Sequence, residues 1–267
     1  MVITLCSSDI LWEDKTGNFK KLDALLANLD YKSDLIVFPE MFATGFTMNT
    51  SLAEDESGES LQWMRKAAVA CNAAVVASFP FKEKDPGGVT RIYNRAFFVF
   101  PSGKYVCYDK RHLFRMGNET LFYTPGTHPV IVEYKGVRFS LNICYDLRFP
   151  VWSRNVALQY DVLINVANFP ISRLGVIEPL VKARAIENLA YVAFVNRTGR
   201  DPVSEYASGS LFVDYKGNNC GEERELFIDA LPVRIIKGEI DLQKLNEFRE
   251  KFPAWMDADD FTLSGEK

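Results

Sequence analysis

Near the start of the chain, apolar residues recur twice with a helical period. Phe19, Leu22, Leu26 and Leu29 stand three and four residues apart, as do Leu61, Met64, Ala68 and Cys71. Each set marks one face of an amphipathic helix. A short β-prone run follows each, at 35–38 and at 74–79, and this helix-then-strand alternation points to α/β architecture. The middle is richer in strands. Residues 92–100 and 104–108 flank the turn signal Pro101-Ser102-Gly103, and residues 130–134 and 137–143 flank Lys135-Gly136, which predicts a tight hairpin. Residues 161–167 read as a buried strand, 178–189 as a helix and 190–196 as another strand. Strand-like runs follow at 209–214, 225–229 and 233–240. A charged helix over 241–250 ends before Pro253.

No linker or internal repeat breaks this pattern. A chain of 267 residues fits one large domain or two small ones, and the continuity favours one, over 1–252. Residues 253–267 are acidic and aperiodic and are expected to form a C-terminal arm. About eleven strands and a handful of helices suggest a two-layer sheet core with helices outside.

Composition narrows the function. Hydrophobic residues make up 48% and charged residues 25%, which excludes intrinsic disorder. The net charge of −4 argues against a nucleic-acid partner held by general electrostatics. The first basic residue, Lys15, follows Asp9, Glu13 and Asp14, so no signal peptide is expected. No apolar run approaches a membrane span. The expectation is a soluble, cytoplasmic protein. The cysteines at 6, 71, 107, 144 and 220 include no CxxC pair, and their odd number argues against a disulfide framework. His112 and His128 fall in no usual zinc spacing, so a zinc site lacks its usual ligands; carboxylates alone can bind magnesium, but no metal is among the expected site groups. With 20 Phe and 11 Tyr but 2 His, histidine is poorly placed to dominate the chemistry.

Three segments put a reactive side chain at the end of a strand-like run, where α/β proteins commonly build sites. Glu40 ends Leu-Ile-Val-Phe-Pro-Glu; a poorly solvated carboxylate there suits a general base, and a strand-end glutamate facing water is the plainer reading. Lys110 sits between Asp109 and Arg111, either in a solvated charge run or as a buried ammonium aimed at a developing negative charge. Cys144 follows the strand-like run 139–143 and reads as a turn into a helix starting near Arg148, an elbow whose helix amides favour thiolate; an inert core cysteine fits as well. Together the three supply base, oxyanion stabiliser and nucleophile without histidine.

In this chain order, Phe-Pro-Glu-Met-Phe at 38–42, Asp-Lys-Arg-His-Leu-Phe at 109–114 and Ile-Cys-Tyr-Asp-Leu-Arg-Phe-Pro at 143–150 resemble the nitrilase (carbon–nitrogen hydrolase) superfamily and its Glu–Lys–Cys triad. The separations between the three residues look like the family's, and the stretches 183–188 and 191–197 look like it too. Residues 40–49 and 112–116 resemble its bacterial ω-amidase group. The chain departs from the family pattern at Phe169 and Ile177, where Trp is common, and at 206–210.

The resemblance implies a four-layer αββα sandwich that assembles as a homodimer or larger homo-oligomer, with the arm and its Trp255, Met256 and Phe261 as candidates for crossing the interface. It implies hydrolysis of the terminal amide of a small linear 2-oxo acid amide, of the 2-oxoglutaramate kind, through a cysteine thioester. The same triad could instead act on N-carbamoyl compounds or other linear amides. By resemblance the second family glutamate is Glu119, and the backbone N–H of Tyr145 shares the oxyanion with Lys110. A substrate carboxylate would want an arginine, for which Arg115, Arg148 and Arg173 are candidates. Phe42, Phe46 and Tyr145 are candidates for the apolar wall, with core packing as the alternative. No cofactor is needed. A non-catalytic binding module would be signalled by loss of a triad residue, and all three are present.

Overall fold

The computed structural model describes residues 1–228 and 231–263. The chain runs through β1 (Val2–Ser7), α1 (Lys15–Ala27), β2 (Leu35–Val37), α2 (Glu59–Cys71), β3 (Ala74–Lys84), β4 (Thr90–Val99) and β5 (Tyr105–Asp109). A single turn, α3 (Glu119–Phe122), leads to β6 (Ile131–Tyr134), β7 (Val137–Ile143), β8 (Val162–Ala167), α4 (Ile177–Asn188) and β9 (Tyr191–Asn196). The small hairpin β10 (Gly199–Arg200) and β11 (Glu205–Tyr206) precedes β12 (Leu211–Val213), β13 (Glu222–Ile228), β14 (Leu231–Glu239) and α5 (Leu242–Lys251).

Local signals explain most of these boundaries. The Asp14 carboxylate caps α1 by accepting from the Gly17 amide at 2.9 Å. Asn72, in the left-handed region at φ 47°, stops α2. Lys135 and Gly136 both have positive φ, 51° and 77°, as a type I′ hairpin between β6 and β7 requires.

The strands form a seven-stranded sheet, β13-β14-β1-β2-β3-β4-β5, and a five-stranded sheet, β12-β9-β8-β7-β6. In the first, β1, β2 and β3 are parallel; in the second, β7, β8 and β9 are. Strand alternation sorts the side chains into layers. Leu5, Val37, Val76 and Phe98 of the large sheet meet Phe139, Leu141, Ile164 and Val166 of the small one in a single apolar core. On the outer face of the large sheet, Ile36, Val75 and Phe97 pack on Leu22, Leu25, Leu61 and Met64 of α1 and α2. On the other side Leu163, Val192 and Phe194 pack on Ile177, Val181 and Ala185 of α4. The result is the expected αββα sandwich. Among the described residues, no helix is long and apolar enough to cross a membrane.

Three details differ from the sequence reading. β1 is a central strand of the large sheet. No helix starts near Arg148: residues 144–148 make one 3₁₀ turn, after which Phe149 is extended at φ −110°, ψ 93°. Phe149 precedes Pro150, and a residue before proline is pushed out of the α region. In the tail, Ala254–Asp257 forms a 3₁₀ turn beside the turn at Val156–Leu158. Residue 229 of the predicted strand 225–229, and residues 264–267 of the arm, lie outside the described residues.

Candidate active site

β2, β5, β7 and β8 all end at one edge of the sandwich, and the residues just past them meet there. Glu40 follows β2 through Phe38-Pro39. Met41 then takes φ 46°, its N–H donating to Ser78 Oγ at 3.0 Å, and the chain reverses. Glu40 is completely buried. Its Oε1 accepts from Lys110 Nζ at 2.7 Å and from Asn94 Nδ2 at 2.8 Å. Its Oε2 accepts from the Asn168 backbone N–H at 3.1 Å and from Asn168 Nδ2 at 3.2 Å.

Lys110 follows β5. Its ammonium lies between Glu40 and Glu119, whose Oε2 is 2.9 Å away, and 5.2 Å from the centre of the Phe46 ring. Burial works against its charge, but the Glu119 and Glu40 carboxylates outweigh that and hold its pKa above the ordinary lysine value. Glu119, the first residue of α3, also accepts from Asn94 Nδ2 at 3.0 Å and from the Phe114 amide at 2.6 Å. Burial, reinforced by Glu40, pushes its carboxyl pKa up, and Lys110 pulls the other way.

Cys144 follows β7. It has φ 46°, a left-handed conformation costly for a side chain with a Cβ. It is half-buried and shares a cavity of about 650 Å³ with Glu40, Asn168, Phe46, Phe114, Tyr145, Arg148 and Arg173. Burial pushes the thiol pKa well above its ordinary value and the Glu40 charge adds to this, against Lys110 and the Asn168 N–H. The helix amides expected to favour a thiolate are not found at Cys144, where the chain makes a 3₁₀ turn instead. No α-helix begins at the elbow, so no helix field is there to favour the anion, and burial favours the protonated thiol.

The other predicted residues divide. Phe46, Tyr145, Arg148 and Arg173 line the cavity, and the Arg173 guanidinium lies 4.6 Å over the Phe114 ring. Phe42 does not. The turn at Met41 sends it beneath α1 and α2, where it packs on Trp63 and Phe79 at centroid distances of 5.4 and 6.4 Å. Arg115 is exposed and outside the wall, whose share of that loop is Phe114, Met116 and Gly117. Asn94 and Asn168, which hold Glu40 from two sides, were not anticipated. Buried asparagines that work across 54 and 128 residues leave no local periodicity to read.

A thiol beside a buried carboxylate that is itself paired with an ammonium is the equipment of acyl transfer without histidine. Comparison with known proteins agrees with that class. The carbon-nitrogen hydrolase family pattern matches residues 2–250, and the chain belongs to that family. It is 41% identical to Omega-amidase YafV of Escherichia coli K12 over 262 residues, 98% of both chains. It is 33% identical to the 2-oxoglutaramate amidase of Bacillus subtilis over 96% of both. Its fold matches XC1258 of Xanthomonas campestris, a CN-hydrolase superfamily protein solved with an arsenic adduct in its active site, at TM-score 0.88 and 36% identity over 99% of both chains.

Proposed function

We propose that this hydrolase cleaves the terminal amide of a small linear 2-oxo acid amide, of the 2-oxoglutaramate kind, to the acid and ammonia. The observation that carries the reading is the shared cavity of Cys144 and Glu40, with Glu40 tied to Lys110 at 2.7 Å. The names of the Escherichia coli and Bacillus subtilis relatives support the substrate class.

Glu40 takes the thiol proton as sulfur attacks the amide carbonyl. Lys110 and the Tyr145 N–H, at the start of a 3₁₀ turn whose first amides have no partner within it, stabilise the oxyanion. The intermediate expels ammonia, which leaves with the proton held by Glu40. Water then attacks the thioester, giving a proton to Glu40; the acid departs and sulfur regains its proton. Glu119 holds Lys110 in place. Asn168 Oδ1 is buried without a hydrogen-bond partner on a residue that lines the cavity, and it suits the amide NH₂ of the substrate. Arg173 or Arg148 pairs with the substrate carboxylate.

A second reading, a larger linear amide or N-carbamoyl compound, is favoured by the cavity's size and by its aromatic wall of Phe46, Phe114, Tyr145 and Phe169. Ammonia release from 2-oxoglutaramate set against a carbamoyl amino acid separates the two. Absence of turnover on either, or turnover that survives Cys144→Ala, would sink the proposal. We further propose a cytoplasmic protein in which residues 1–252 form the hydrolase domain and 253–267 an arm, assembling as a homodimer or larger homo-oligomer. Exposed Val151, Val156 and Met256 support an assembly face, and sedimentation tests it.

A further inference from the structure

The two halves of the site hang from different sheets. Glu40, Asn94 and Lys110 belong to the seven-stranded sheet, Cys144 and Asn168 to the five-stranded one. Between the sheets the packing is apolar. Apolar contact is non-directional; it sets spacing and leaves lateral registry to groups with directional bonds.

One such group lies two residues past the nucleophile. Asp146 is fully buried and engages four hydrogen-bonding groups. Its Oδ2 accepts from the Ile143 amide at 3.0 Å and from the Tyr108 hydroxyl at 2.7 Å. Its Oδ1 accepts from the His112 amide at 2.9 Å and pairs with His112 Nδ1 at 2.8 Å. Tyr108 and His112 stand two residues either side of Lys110. The Tyr108 oxygen is fixed in turn by Trp152 Nε1 at 2.9 Å and the Arg111 amide at 3.3 Å, and the His112 ring stacks on Phe149 at 3.6 Å. The carboxylate thus uses its full acceptor capacity to join the cysteine turn to the lysine turn. It lines no part of the cavity. Asn168 also bridges the sheets, but it does so through Glu40 itself.

We propose that Asp146 is a positioning residue that holds Cys144 in reacting distance of Glu40 and Lys110 by locking the cysteine turn to Tyr108 and His112 of the opposite sheet. The proposal rests on the assignment of Cys144 as nucleophile. An asparagine at 146 would present an NH₂ to donors that now meet an oxygen, and the turn would shift. Displacement of a reacting group by a fraction of its contact distance is enough to lower turnover by about a hundredfold.

The test compares Asp146→Asn, Tyr108→Phe and the double variant by kcat and KM for ammonia release. Alongside, the pH profile of Cys144 alkylation by iodoacetamide is followed on the Cys144 peptide by mass spectrometry. Asp146→Asn is expected to lose about a hundredfold in kcat with KM nearly unchanged, and Tyr108→Phe about tenfold. The double variant should be no worse than Asp146→Asn, since both break one bridge. The alkylation profile should move in the same order. A folded Asp146→Asn with wild-type kcat and alkylation profile overturns the proposal, as do losses that multiply in the double variant or that fall on KM. If Asp146→Asn does not fold, Tyr108→Phe, which removes a single hydroxyl, decides by the same readouts. Alkylation needs no substrate. A wild type that releases no ammonia therefore counts against the amidase reading and leaves the bridge to be judged by the thiol.

Discussion

The two sides of the site are built on opposite principles. On the large-sheet side, Glu40, Lys110, Glu119 and Asn94 are completely buried and bound to one another at 2.7 to 3.0 Å. On the small-sheet side, Cys144 is only partly buried, has its thiol pKa raised by that burial and sits in a left-handed conformation. The charges that stabilise a transition state are set in advance and need not move. The atom that attacks must be reachable and must change its protonation. In the proposed mechanism, fixed charge therefore lies beneath the surface and the attacking Cys144 within reach of the cavity.

Breaking the charged side should do most damage. Lys110→Ala leaves two buried carboxylates facing each other, with an expected stability loss of about 3–5 kcal/mol together with loss of ammonia release; urea denaturation and the activity assay read both. Cys144→Ala should lower turnover by at least about 10³-fold while its urea midpoint stays close to wild type. A large stability loss in that variant would erase the distinction between the two sides. At the wall, Arg173→Met should raise KM by about 10- to 100-fold if its guanidinium pairs with a substrate carboxylate, and Arg115→Met should leave KM unchanged.

Smaller effects sharpen the comparison. Glycine tolerates φ 46° better than alanine, so Cys144→Gly should be more stable than Cys144→Ala by about 1 kcal/mol. The raised thiol pKa also has a definite sign. The folded state retains a proton that the unfolded chain releases above about pH 8.5, so this contribution to stability is intact below that pH and is lost as pH rises. The wild type should lose stability more steeply than Cys144→Ala on the alkaline side, by at most about 1.4 kcal/mol per pH unit.

What was legible in the sequence was local. Strand-end residues such as Glu40, Lys110 and Cys144 stand out because an apolar run stops on a reactive side chain. The hairpin at Lys135-Gly136 and the helical faces of α1 and α2 carry their own signals. β1 was missed because Val2–Ser7 is almost wholly buried and lacks the alternation of a half-exposed strand, as strands inside a covered sheet do. Phe42 looked like part of the wall because it stands two residues from Glu40, but backbone reversal at Met41 separates neighbours in sequence. Asn94, Asn168 and Asp146 act between elements distant along the chain, and no pattern within any one element announces that.

The place of β1 bears on how the protein comes into being. It lies between β2, its parallel neighbour from the start of the chain, and β14, whose Glu239 pairs with Val2 at the opposite end. During synthesis the strand leading to Glu40 is made nearly two hundred residues before β14, so the sheet that carries it has an open edge at β1 until residues 231–239 have emerged. A chain ending before residue 231 carries Glu40, Lys110 and Cys144 and still presents that edge to proteases and to other chains. The pairing of β14 with β1 thus closes, from far along the chain, the sheet on which Glu40 is carried.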